Sequence, residues 1–454
     1  MQPTNPMVLV FALIAIVRLR RSVEAAAVDV FLPVLLLVPS VFSLHIPHLP
    51  SLSCVDAVLL PIGIAALISR SQRWQFKRAD LWVVLFVLAS CYTDYINIGL
   101  VNALYNLPSL ICDSLCAYFI GKLLIEQSGL RERFAQRLVF LLAIVSFFSI
   151  GEFVGRKNIF LMLARRFFRS NMYWMDQIRG GFMRVKGPFA GAEQAGIVFF
   201  LGLLISLWLW FVNRSRQDVD EKKYLGIRRS TLWVVSISLG LYMTLSRGPW
   251  LGAAAGFLVA RIGLVKNRRR AIIAALVLCV LGGIAANTKA NQYAQLNPDD
   301  TAGNESQSSA YYRTQLDRVY KSVAERGGLF GWSAAAYPRD PAYDSIDNEY
   351  LLLWVTQGKV GLWLFILIAL EGGIAIALAI YGSRQSVDSC FYYCLGGTLG
   401  GLILVLTTVY LTSQGFVLFF LFIGWSQSLR EQYEGVQAAP ERLNSRFAFR
   451  RVLA

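Results

Sequence analysis

Charge is what this chain has least of. Only 16% of its 454 residues are Asp, Glu, Lys or Arg, against about 25% in a soluble domain. With 56% hydrophobic residues and a mean hydropathy of +0.51, the chain is not disordered, not a fibrous repeat and not an ordinary cytosolic enzyme. Regular apolar/polar alternation is also lacking, which excludes an outer-membrane barrel. The cysteines Cys54, Cys91, Cys112, Cys116, Cys279, Cys390 and Cys394 form no CxxC and no zinc spacing. They sit in or beside apolar stretches and read as small core residues. A signal peptide is missing too: the first apolar run has no basic segment before it, and Arg18, Arg20 and Arg21 follow it, the reverse of the required order. What remains is an all-α, polytopic helical membrane protein.

A spanning helix needs about 20 apolar residues. Such runs are expected at 25–44, 53–69, 80–98, 104–125, 137–154, 193–212, 231–246, 249–265, 271–287, 358–381, 390–411 and 414–429, about twelve spans in all. Segment 7–17 is too short to cross unaided and is expected in the interface or as a half-helix.

The net charge of +16 does not call for nucleic acid, because the bases lie mostly between apolar runs. Arg70, Arg73, Lys77 and Arg78, then Arg131, Arg133 and Arg137, then Lys266 and Arg268–Arg270, and finally the tail beyond Arg430 occupy alternate connections. These are the expected cytoplasmic ones, which puts both termini inside. The expected organisation is 1–154 N-terminal spans, 155–192 a basic outer loop, 193–287 central spans, 288–357 a long outer loop, 358–429 C-terminal spans and 430–454 a cytoplasmic tail. The loop 155–192 carries Arg156, Lys157, Arg165, Arg166, Arg169, Arg179, Arg184 and Lys186 against Asp176, in violation of the positive-inside bias.

Three constellations are candidates for chemistry. In Gly180-Gly181-Phe182-Met183-Arg184-Val185-Lys186-Gly187-Pro188-Phe189, Pro188 suits a first helical turn. The helix N-terminus beside Arg184 and Lys186 favours a phosphate or pyrophosphate; the plainer alternative is a solvated basic loop on anionic headgroups. In Thr244-Leu245-Ser246-Arg247-Gly248-Pro249-Trp250-Leu251-Gly252, Ser246 or Gly248 suits a cap. Arg247 is then the charge at the membrane boundary, a functional candidate by default or else a snorkelling side chain. Gly248, Gly252 and Gly256 suit close helix packing. In Asp344-Ser345-Ile346-Asp347-Asn348-Glu349-Tyr350-Leu351, Asp347 is either an N-cap or a functional acid, with Glu349 in the first turn.

Together, a basic loop ending in R-x-x-G-P-F, an S-R-G-x-W-L-G turn, and a long loop closing on D-N-x-Y-L with G-x-x-G behind it resemble the O-antigen ligase and polymerase superfamily over about residues 150–370. The resemblance implies a metal-independent, cofactor-free, inverting glycosyltransferase acting on undecaprenyl-pyrophosphate-linked glycan at the outer face of the bacterial inner membrane. The acceptor is a glycan or a lipid, and polysaccharide chain-length or export proteins are partners to expect. Ligases of this family carry a histidine before the Asn of the third motif. Here that position is Asp347, and the histidines are His45 and His48, which tilts the resemblance towards polymerisation.

The chemistry then follows. A glycosyl pyrophosphate brings its own leaving group, whose charge fixed cations and helix ends stabilise. Arg247 and Arg184 are the first choices, Arg179 and Lys186 their support. Asp347 is the candidate base for the acceptor hydroxyl, with Glu349 as substitute. Tyr311, Tyr312 and Trp332 are either sugar-stacking or interfacial aromatics. The competing classes are a lipid-linked oligosaccharide flippase or transporter, for which Asp113 and Glu371, with Asp29 beside them, are the acids deep within spans, and a non-catalytic assembly subunit.

Overall fold

The computed structural model describes residues 5–448 except 41, 45–49, 170–175, 216–221, 225, 266, 268–269, 272, 275–287, 289–291, 293–304, 344 and 384–385. Helices dominate. In chain order they are α1 (Val8–Leu19), α2 (Val23–Ala26), α3 (Leu32–Leu37), α4 (Cys54–Arg70), α5 (Arg78–Leu110), α6 (Ala117–Ile120), α7 (Arg131–Gly155) and α8 (Ile159–Phe168). After these come α9 (Ala192–Ser215), α10 (Arg229–Met243), α11 (Arg247–Ile262), α12 (Glu305–Arg326), α13 (Glu349–Gly382), α14 (Ser386–Val405) and α15 (Ser413–Ala448). Among the described residues the strands are three two-residue antiparallel hairpins.

Five of these helical stretches are long and apolar enough to cross a membrane: Arg78–Ile125, Arg131–Gly155, Ala192–Ser215, Glu349–Gly382 and Asp388–Val405. The other expected spans fall on shorter helices, or for 414–429 on the long but less apolar α15, and 271–287 lies almost wholly outside the described residues, with Cys279. His45 and His48 lie outside them as well. The expected spans 80–98 and 104–125 form one continuous helical stretch. It breaks at Gly99, whose φ of 82° is open to glycine without a Cβ penalty. The expected half-helix at 7–17 is the short α1.

Glycines set the tightest crossing. A Cβ on Gly256 would meet the Gly397 carbonyl oxygen at 2.6 Å, and one on Gly252 the Gly401 oxygen at 3.0 Å. The stripe of α11 therefore lets its backbone lie against that of α14, which is its packing role. The cysteines Cys54, Cys112, Cys116, Cys390 and Cys394 are buried and unbridged, as small core residues.

More acids are buried in the bundle than the pattern of spans suggested. Asp80 pairs with Lys122 at 2.8 Å, both almost wholly buried. Glu126 holds Arg131 at 2.7 Å, and Glu371 meets Arg430 at 3.3 Å. Asp80 and Glu371 have partners that lie far away in sequence, so hydropathy alone does not reveal them.

A second, smaller core forms over one end of the bundle. The face of α12 carrying Leu316, Tyr320, Val323 and Ala324 packs with Ile346, Leu351 and Val355 at the start of α13. Gly358, with a φ of 67°, breaks α13 beneath this core. The break leaves carbonyls without helical partners, and the passing chain takes them: Trp332 N donates to Val355 O at 3.0 Å and Ser333 N to Thr356 O at 2.8 Å. In return Val360 N donates to Leu329 O at 3.0 Å. A Cβ at Gly358 would overlap the Leu329 carbonyl. No side chain fits there.

Candidate functional site

The basic loop docks onto the turn between α10 and α11. Leu245, at the heart of that turn, has a φ of 48°, a left-handed conformation that costs a non-glycine residue about 1–2 kcal/mol. The turn presents its carbonyls to the loop. Arg179 Nη1 donates to Leu245 O at 2.6 Å. Arg184 Nε donates to Thr244 O at 3.1 Å and its Nη2 to Ser246 Oγ at 2.7 Å. Val185 N continues the seam to Met243 O at 3.1 Å. Two segments selected separately in the sequence are thus one unit.

Ser246 occupies the N-cap position of α11 but makes no cap hydrogen bond with its side chain; its hydroxyl serves Arg184 instead. Arg247 is the first residue of the helix and is exposed. Pro188 does not open the next helix. The chain turns at Gly187, with a φ of 59°, and α9 starts at Ala192. The first turn of α9 carries Glu193, which pairs with Arg184 at 2.5 Å. That terminus already has its own carboxylate, favourably placed on the helix dipole.

Lys186 is buried and belongs to a different knot. Glu152, near the end of α7, accepts from Lys186 N at 3.2 Å, Gly187 N at 2.9 Å and Asn158 Nδ2 at 3.0 Å. Burial lowers the Lys186 pKa, opposed by the charges of Glu152, Asp176 and Glu193.

The third motif resolves into separate roles. Asn348, not Asp347, caps α13: its Oδ1 accepts from Tyr350 N at 3.1 Å and Leu351 N at 3.2 Å. Asp347 is therefore released from capping and accepts from Ser345 Oγ at 2.8 Å. Burial pushes the Asp347 carboxyl above the ordinary aspartate range. The Ser345 hydroxyl and the Arg313 and Arg184 charges draw it back, while Glu193 pushes it further up. Glu349 is wholly buried. Its N–H donates to Leu406 O at 2.9 Å and its Oε2 accepts from Leu411 N at 2.7 Å.

The expected span 390–411 ends early, because α14 stops at Val405 and the chain to Thr412 is held by side chains. Glu349 takes one side; Gln194 takes the other, donating to Tyr410 O and accepting from Thr412 N at 3.3 Å. This clamp sets Tyr410 within the electrostatic reach of Asp347 and Glu193.

The arrangement brings Arg179, Arg184 and the turn before Arg247 together, with Asp347 within the electrostatic reach of Arg184. Lys186 and Glu349 are packed behind this front. Glu193, Gln194, Arg313 and Tyr410 were not singled out in the sequence. An acid-amide pair opening an apolar helix was a signal available for the first two; nothing local marks the others. Of the aromatics, Tyr312 packs on Tyr343 at 5.1 Å between ring centroids, and Trp332 Nε1 donates to Val323 O at 2.9 Å. Both belong to the small core. Among the described residues no cluster of His, Cys, Asp and Glu has metal-binding geometry.

A helical membrane protein with arginines gathered against an acidic helix entry is the class this fold and site define. Residues 230–366, with the S-R-G turn and the D-N-E-Y-L motif inside them, match the family model described as O-Antigen ligase, which supports the resemblance to the O-antigen ligase and polymerase superfamily. No curated protein matches the chain.

Proposed function

We propose that the protein is an inverting glycosyltransferase that polymerises undecaprenyl-pyrophosphate-linked glycan at the outer face of the inner membrane, polymerisation being favoured over ligation to lipid A core. The observation that carries this is the junction of Arg184 with Thr244 and Ser246, which fixes the basic loop beside Arg247 and within the field of Asp347.

The acceptor hydroxyl attacks the anomeric carbon from the face opposite the pyrophosphate, so the configuration inverts. Asp347 takes the hydroxyl proton as the new C–O bond forms. The bond to the pyrophosphate oxygen breaks and the diphosphate leaves with the electron pair. Arg247, exposed at the α11 N-terminus, and Arg179, half-buried beside it, stabilise that charge without an added proton. Arg184 holds the Leu245 turn and biases the potential around Asp347. Lys186 and Glu349 support the site from behind. Arginine suits the leaving group because its planar fork matches a diphosphate.

A transfer assay tests this reading: membranes containing the parent, supplied with lipid-linked repeat units, should lengthen the glycan. Movement of labelled lipid-linked glycan without lengthening would instead favour the flippase class. Full activity of both Arg247→Ala and Asp347→Asn would favour a non-catalytic assembly subunit.

A further inference from the structure

A cavity of about 260 Å³ opens between α5, the turn that follows it, α13 and α15. Two carboxylates enter it. Asp94 accepts from Asn106 Nδ2 at 2.9 Å and from Ser333 Oγ at 2.6 Å; Asp113 accepts from Ser413 Oγ at 3.1 Å. Asp113 is an acid within a span, a functional candidate by default, and the transfer chemistry above does not use it.

The acids are not the only indication. Ser114, 1% exposed, lines the same cavity, and its hydroxyl has no hydrogen-bond partner. Gln357 lines it too, but its unpartnered Oε1 lies over Gly361 of its own helix. Buried polar atoms nearly always have partners, so the Ser114 hydroxyl marks a position that a ligand can complete. Phe86 and Phe416 supply apolar surface. No Lys or Arg is among the lining residues.

This lining has a definite preference. Carboxylates and an amide carbonyl accept from hydroxyls or an ammonium, hydroxyls donate and accept, and aromatic faces cover C–H surfaces. The Asp94 carboxylate, with no Lys or Arg in the lining, repels an anionic ring. The volume lies just below the range of about 300–1,000 Å³ usual for small-molecule pockets, which suits one ring rather than an oligosaccharide. We propose that this cavity is a subsite for a single neutral or amino-substituted sugar ring of the glycan. The identity of that glycan rests on the glycosyl-transfer reading; the preference for ring charge does not.

The test has two arms, both with the full chain in lipid nanodiscs. In the first, binding of methyl glucoside, its 2-amino analogue and methyl glucuronide is measured by saturation-transfer NMR. The first two should bind and the glucuronide should not. Asp113→Asn, which keeps shape, and Ser114→Val, which removes the hydroxyl, should each weaken binding about two- to tenfold, the range for one hydrogen bond. Binding of glucuronide as tight as glucoside, binding unchanged in both variants, or no binding of any of the three overturns the proposal. In the second arm, Asp113→Asn should raise the apparent KM for lipid-linked glycan while leaving kcat near the parent's. An unchanged KM also overturns it. A parent that transfers no glycan defeats the glycosyl-transfer reading but leaves the first arm to decide the cavity.

Discussion

Arg184 Nη2 and Ser246 Oγ meet at 2.7 Å across 62 residues of sequence. The buried guanidinium needs that oxygen, and the hydroxyl is diverted from capping its own helix to supply it. The same arginine pairs with Glu193 at 2.5 Å and contributes to the field at Asp347. One residue therefore couples the loop, the turn and the acid.

Ser246→Ala removes a partner of a buried cation, a loss of about 1.5–3 kcal/mol. Transfer should fall and thermal stability should drop with it. Ser246→Thr, which keeps the hydroxyl, should retain most of both. Equal stability of Ser246→Ala and the parent in a melting experiment would contradict the coupling.

Arg247 is exposed, so its replacement should separate chemistry from folding. Arg247→Lys keeps the charge but loses the fork, and Arg247→Ala loses both. If each is a lost charge-stabilising donor, kcat should fall about 10²–10³-fold at unchanged abundance in the membrane. An alanine variant within a few-fold of the parent would reduce this arginine to a surface residue.

Asp347→Asn should leave folding intact because Asn348 does the capping. As the general base is worth about 10²–10⁴ in rate, activity should collapse while the melting temperature holds. The pH profile has a defined sign. Burial raises the Asp347 pKa, and the base works deprotonated, so activity is lost as pH falls through that raised value. The acid limb should lie above about 3.9, the ordinary aspartate value, and should disappear from the residual activity of Asp347→Asn. Asp347→His should recover part of the rate near neutral pH.

Glu349 gives the opposite pattern. Glu349→Gln keeps an acceptor for Leu411 N and should be mild. Glu349→Leu strands that N–H, costing about 1–3 kcal/mol, and should lower stability first and activity in consequence. A dead but fully stable Glu349→Gln would make Glu349 the base.

Orientation is tested by cysteine labelling. Ala335 and Arg339 are exposed in the chain between α12 and α13, and cysteines there should react with a membrane-impermeant maleimide from outside intact spheroplasts. Protection until the membrane is broken would invert the map and move the site to the cytoplasmic face.

Much of the bundle was legible because hydropathy and glycine act locally. Gly99 and Gly358 break helices by their own backbone conformation, and the Gly252–Gly256 stripe announces a close crossing. The site was legible in its parts but not in its division of labour. Asp and Asn cap about equally well, so no local rule chooses Asn348 over Asp347. The end of α14 was hidden for a different reason: the chain beyond it is held by Gln194 and Glu349, contributed by two other helices. Long-range polar partners leave no trace in periodicity.

The break at Gly358 has a consequence for how this chain can diverge. The 329–333 strand of backbone is matched, atom for atom, to carbonyls and an N–H on both sides of the break. Adding or deleting one residue between Leu329 and Ser333 would shift every one of these pairings at once. Relatives that differ greatly in the size of this loop should therefore still place a glycine-broken helix under the same short run, as a fixed ruler from which the surrounding segments are measured.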